Sequence, residues 1–137
     1  MGRKSERELE ASLRVALSHW EDGAALAESS FARNPGIEVI AEARYPGLGA
    51  LSRGLVLRDL IRECLTDLAE SLKGVEPLQS IVRGRLRGAT QAEIARSINM
   101  SQEWLSRRYK RLLVVLVLDA LQSRLRSIRS AAIEKAA

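Results

Sequence analysis

Between residues 90 and 110 the chain reads TQAEIARSINMSQEWLSRRYK, and this stretch holds the side chains best suited to chemistry. Gln102, Glu103, Ser106, Arg107 and Lys110 recur at i, i+1, i+4, i+5 and i+8, so a helix gathers them on one face. They present amide, carboxylate, hydroxyl, guanidinium and ammonium groups. Such a set suits reading base edges in a duplex groove and holding phosphates. Arg83, Arg85 and Arg87 lie just upstream, Arg96 lies within the stretch, and Arg108 and Arg111 flank the face. These six are natural cations for positioning a nucleic-acid backbone. Free N–H groups at the helix starts after Thr90 and Ser101 add further donors for phosphate.

Two helices are needed to place these groups. Thr90 caps the first, and Glu93 three residues on completes a capping box. Ile94, Ala95 and Ile98 are its inward positions, with Ala95 small where two helices must approach. Asn99 follows, a residue tolerant of positive φ and suited to a tight turn. Ser101 caps the second helix, whose inner face runs through Leu105, Tyr109 and Leu112. Trp104 and Tyr109 read as core rather than as platforms for stacking bases. Two capped helices joined by so short a turn predict a helix-turn-helix, with the second helix in the major groove.

The block from about Leu78 to Leu116 resembles the helix-turn-helix of sigma factor region 4 and of LuxR-type regulators. The residues that carry the resemblance are Gly88, Thr90, Glu93, Ile94, Ala95, Ile98 to Ser101 and Ser106 to Arg108. It covers under a third of the chain. It implies sequence-specific binding of double-stranded DNA in bacterial transcription control, in the cytoplasm at the nucleoid; the alternative is that the same helices recruit RNA polymerase or couple a sensor to a signalling partner. Trp104 departs from the pattern, standing where a small residue such as Thr is usual; it either packs on the upstream helix or obstructs close groove entry. Trp20, Asp22, Ala24 to Ala27 and Ser30 to Ala32 give a weaker likeness to N-terminal helix-turn-helix modules of bacterial STAND-type signalling proteins.

Charge supports a polyanion-facing half. The 137 residues carry 22 Lys and Arg against 17 Asp and Glu, net +5, but residues 1–74 are net −2 and residues 75–137 net +7. Between Arg83 and Arg111, eight basic residues meet only Glu93 and Glu103. A charge run is also what an ordinary solvated surface looks like, and the rival reading is a helical module that binds protein.

Other chemistry lacks material. One His and one Cys cannot furnish the roughly four ligands of a structural zinc, and Cys64 has no partner for a disulfide. No Gly-rich phosphate loop and no Ser-His-Asp set occurs. His19 beside Trp20 reads as packed or capping, and Glu21-Asp22 as a solvated helix end. The expectation is a non-enzyme without metal or cofactor. No signal peptide is legible, and the longest apolar run, Leu112 to Leu118, is too short to span a bilayer.

The remaining elements are expected to be helical, because Leu, Ala, Arg and Glu dominate and only 4% of residues are aromatic. Ser5 and Glu8 form a capping box ahead of Leu9, Leu13, Ala16, Leu17 and Trp20. Leu26 and Phe31 extend into a second short helix, and Asn34-Pro35-Gly36 reads as a turn. Ile37 to Ala43 fits helix or strand. After the breaker cluster Tyr45 to Gly49, residues 50–73 carry a stripe that includes Leu60, Ile61, Cys64 and Leu65, closed by Gly74. Pro77 restarts a helix faced by Leu78, Ile81, Val82 and Leu86 and ended by Gly88. The second helix of the pair continues through an apolar segment, Leu112 to Ile128. That segment either packs on a second copy to make a homodimer or is the central core of a monomer. The expected architecture is all-α, five or six helices, with an N-terminal layer over 1–74, the helix-turn-helix region over 75–130 and a fraying tail over 131–137.

Overall fold

The structure is a computed structural model that describes residues 5–136. It is all-helical among those residues, as composition requires: α1 (Glu6–Ser18), α2 (Gly23–Leu26), a 3-10 turn (Ser30–Arg33), α3 (Pro35–Arg44), α4 (Ala50–Ser71), α5 (Leu78–Leu86), α6 (Gln91–Ser97) and α7 (Gln102–Ala136). Seven α-helices replace the expected five or six. The added helix is α3, over residues that fit helix or strand by spacing alone, while short polar caps divide the expected second helix into α2 and the 3-10 turn. The Asp22 carboxylate caps α2 by accepting from Ala25 N–H, and the Ser29 hydroxyl opens the 3-10 turn by accepting from Phe31 N–H.

Asn34-Pro35-Gly36 starts a helix rather than making a turn. The Asn34 side chain accepts from Gly36 N–H at 2.8 Å, and Pro35 occupies the first helical position, where its missing N–H costs nothing. That cap settles 37–43 as helix. Gly36 is needed there for room, since a Cβ would lie 2.0 Å from the Ile128 side chain of α7. Pro77 stands at the N-cap of α5, one residue before its first turn. The capping at Ser5 is one-sided, with Glu8 N–H donating to the Ser5 hydroxyl at 3.2 Å.

A single core joins both halves. It runs from Leu13 and Leu17 through Leu57, Ile61 and Leu65 to Val82, Ile94, Leu105, Val117 and Leu121. Each such side chain contributes about 1.5–3 kcal/mol by leaving water. Cys64 is one of these buried groups, and burial pushes its thiol up to about 11, so it stays protonated and inert at neutral pH.

α7 is 35 residues long, about 52 Å, and is packed against α1, α3 and α4 along its length and α5 and α6 near its start. The segment expected to fray is part of this helix to Ala136. The Leu112 to Ile128 segment is not covered all round. Leu113, Val114, Val117, Leu118, Leu121 and Leu125 are buried, whereas Leu112 and Val115 face solvent. Leu112 leaves the inner face that spacing predicts for it with Leu105 and Tyr109; that face turns instead through Leu113. No described helix is long and apolar enough to cross a membrane.

Candidate nucleic-acid interface

α5, α6 and the first turns of α7 form one corner of the molecule, and its geometry is set by backbone closure at each joint. α5 ends with Gly88 at φ 78°, its N–H donating to Arg85 O at 3.0 Å while Ala89 N–H donates to Gly84 O at 3.0 Å. α6 ends the same way: Asn99 takes φ 55°, its N–H donates to Arg96 O, and Met100 N–H donates to Ala95 O at 2.9 Å. This paired closure satisfies carbonyls that a helix end otherwise leaves bare.

The starts of both helices are capped as the residue types demand. Glu93 N–H donates to the Thr90 hydroxyl at 3.1 Å, and Thr90 N–H donates back to the Glu93 carboxylate at 3.0 Å. The hydrogen bonds from Thr90 hold the Glu93 carboxyl below its ordinary range. Trp104 N–H donates to the Ser101 hydroxyl at 3.1 Å, so Ser101 caps α7. Leu105 is buried at the joint of α6 and α7 with 4% of its surface exposed, in the same core cluster as Ile94 and Ala95. Close approach of α5 depends on Gly84, where a Cβ would meet Ile94 Cγ1 at 2.5 Å.

The charged residues divide by environment. Arg83, Arg87, Arg96, Arg108 and Lys110 are exposed, with no ion pair among the described residues. Gln102 and Glu103 are exposed on the first turn of α7, while Ser106 is half-buried. Arg107 pairs with Glu103 one turn back, both largely exposed. Exposed i,i+4 pairs are worth only about 0.3–0.5 kcal/mol, so Arg107 can leave Glu103 for a phosphate or a base at little cost.

Two of the cations stand apart from that surface. Arg85 is partly buried between α5, α6 and α7, where desolvation lowers its pKa; it lines a small cavity of about 40 Å³ with Gln91, Tyr109 and Lys110. Its backbone carbonyl accepts from Trp20 Nε1–H at 3.1 Å, which locks the end of α1 onto α5. Arg111 reaches the Glu10 carboxylate of α1 at 3.4 Å. Glu10 carries no motif and lies 101 positions away, so only the fold reveals it as a neighbour. Glu21 is a second acid that the fold brings to this corner, its carboxylate beside Gly88.

Trp104 is not core. It stays 43% exposed, edge-on to Tyr109 with ring centroids 5.5 Å apart. His19 ends α1 as a capping residue, with Ser18 Oγ 3.0 Å from its Nδ1. No described group of His, Cys, Asp and Glu could hold a metal ion. No family model, curated protein or solved structure matches the chain.

Proposed function

We propose that this protein binds double-stranded DNA sequence-specifically through α6 and α7, as a regulator of bacterial transcription. The observation that carries the reading is the joint itself. Two capped helices, closed by a left-handed Asn99 and plugged by Leu105, hold the start of α7 outward as a rigid unit. Arg107, Arg108 and Lys110 project there beside Gln102, Glu103 and Trp104, and none of these three cations is held by a buried acid. In this reading the first turns of α7 enter the major groove, as the second helix of a helix-turn-helix does.

Arg107 and Lys110 then face the groove with Gln102 and Glu103, and Glu103 accepts from a cytosine amino group when Arg107 releases it. Arg83, Arg87 and Arg96 hold the phosphates flanking the groove, and the free N–H groups at the helix starts after Thr90 and Ser101 add to them. Arg85 supports the corner from within, and its contribution to affinity is expected to be smaller than that of the exposed cations.

The test is a substitution series on duplex DNA at fixed salt. Arg107→Ala or Lys110→Ala is expected to weaken binding to a selected site by about 1–3 kcal/mol and to relax its sequence preference. Arg96→Ala is expected to weaken all duplexes alike. Unchanged binding by all three variants rules this surface out. A second reading, a module that binds protein, is favoured by the exposed Trp104, Leu112 and Val115 on the same helix.

A further inference from the structure

The solvent side of α7 carries a stripe that the DNA reading does not use. Leu112 is 41% and Val115 37% exposed, although both are large aliphatic residues on a long, regular helix. One turn before Leu112 stands Arg108, and one turn after Val115 stands Asp119; both are exposed, and no described group forms an ion pair with either. Their spacing of eleven residues brings them back to nearly the same line of the helix. The order along the stripe is therefore cation, apolar, apolar, anion.

That order is self-complementary. We infer that a second copy of this chain docks on the stripe, with the two α7 helices antiparallel about a twofold axis between Leu112 and Val115. Laid this way, Leu112 of each copy meets Val115 of the other, and Arg108 of each meets Asp119 of the other. The 4-3-4 spacing of Arg108, Leu112, Val115 and Asp119 is the seam spacing of paired helices. A twofold contact must place the same patch on both copies, and the reversed charge order meets that condition without any change in the fold. Beside the seam lies an open concavity of about 660 Å³ lined by Trp104, Arg107, Arg108, Tyr109 and Leu112, which gives the second helix room for its side chains. A parallel arrangement would set Arg108 against Arg108 and Asp119 against Asp119, and like charges opposed across a seam disfavour it.

This use of α7 narrows the expected self-association through the Leu112 to Ile128 segment to its outer face. The inner residues of the Leu112 to Ile128 segment are committed to the monomer core, and only the outer stripe is open to a partner. It also takes Arg108 away from the phosphate contacts. A stripe from Trp104 to Gln122 is about 27 Å long, and one helix pair buries less than the ~800 Å² per partner of a standard interface, so the dimer is weak.

The test is sedimentation equilibrium of the full chain without DNA, from about 1 µM to about 1 mM, which makes it independent of the DNA reading. The expected result is a monomer–dimer equilibrium. Arg108→Asp and Asp119→Arg should each raise the dissociation constant roughly tenfold or more, since each reversal acts twice across the twofold. The double variant should restore dimerisation to near that of the parent chain. Circular dichroism checks that each variant remains helical, and Val115→Gln replaces any that does not, with the same weakening expected. A monomer over the whole range overturns the inference, as does a dimer indifferent to the reversals or not restored by the double exchange.

Discussion

Single residues fix the joint on which the functional reading depends, and two of them give direct tests. Thr90 satisfies Glu93 N–H, and nothing else in the corner supplies that bond. Thr90→Ala should cost about 1 kcal/mol and lower the melting temperature by about 4 °C. Glu93 reports the same box through pH. Its carboxyl is held below the ordinary range by Thr90, so it adds stability above that range and loses it as acid brings the pH down through the lowered value. Glu93→Gln keeps an acceptor for Thr90 N–H but no charge. Urea titrations should therefore show the parent chain more stable than the variant at pH 7, with the difference vanishing as acid takes the pH below the lowered value. A constant difference across that range would remove Glu93 as a titrating cap. These two residues, with Asn99, Ser101 and Leu105, were legible in the sequence because capping and turn chemistry act over three or four positions. Trp104 was not, since an aromatic ring on a helix reads as core until the fold shows whether a neighbour covers it.

Helices and their packing determine whether the joint can be rigid. Asn99 holds a left-handed conformation that closes α6. Asn99→Gly should be neutral within a few tenths of a kcal/mol, whereas Asn99→Val should cost about 1–2 kcal/mol in chemical denaturation. Equal stability of the two variants would show that the turn relaxes freely. Gly84 is the corresponding test of helix approach. Its Cβ would strike Ile94 at 2.5 Å, so Gly84→Ala should destabilise by about 1–3 kcal/mol despite improving helix propensity. The spacing of apolar residues revealed α1, α4 and α5, each with an apolar stripe on one side, and α7 through its continuous apolar run from Leu112 to Leu118. It did not separate α2 from the 3-10 turn, whose boundaries depend on Asp22 and Ser29 rather than on hydrophobic spacing. Nor did it show that Pro35 begins α3, which follows from Asn34 capping it.

At the scale of the whole molecule, charge and burial act together. The N-terminal half is net acidic and the C-terminal half net basic, and α1 and the turn after it bring Glu10 and Glu21 up to the edge of the basic corner. These acids border the cationic surface and leave Arg83, Arg87, Arg96 and Lys110 as its exposed, unpaired core among the described residues. Linear sequence could give the asymmetry of the halves but not this border, since contacts 101 positions apart follow only from the packed core. The central claim is that this surface neutralises the phosphates of duplex DNA. The most direct measurement is fluorescence anisotropy of the purified chain with random duplex, titrated from about 50 to about 200 mM salt. With four phosphates neutralised, log K should fall by about 3.6 per decade of salt, which is roughly a hundredfold loss of affinity or slightly more across that range. A folded chain that shows no binding at the lowest salt, or binding without salt dependence, contradicts the account.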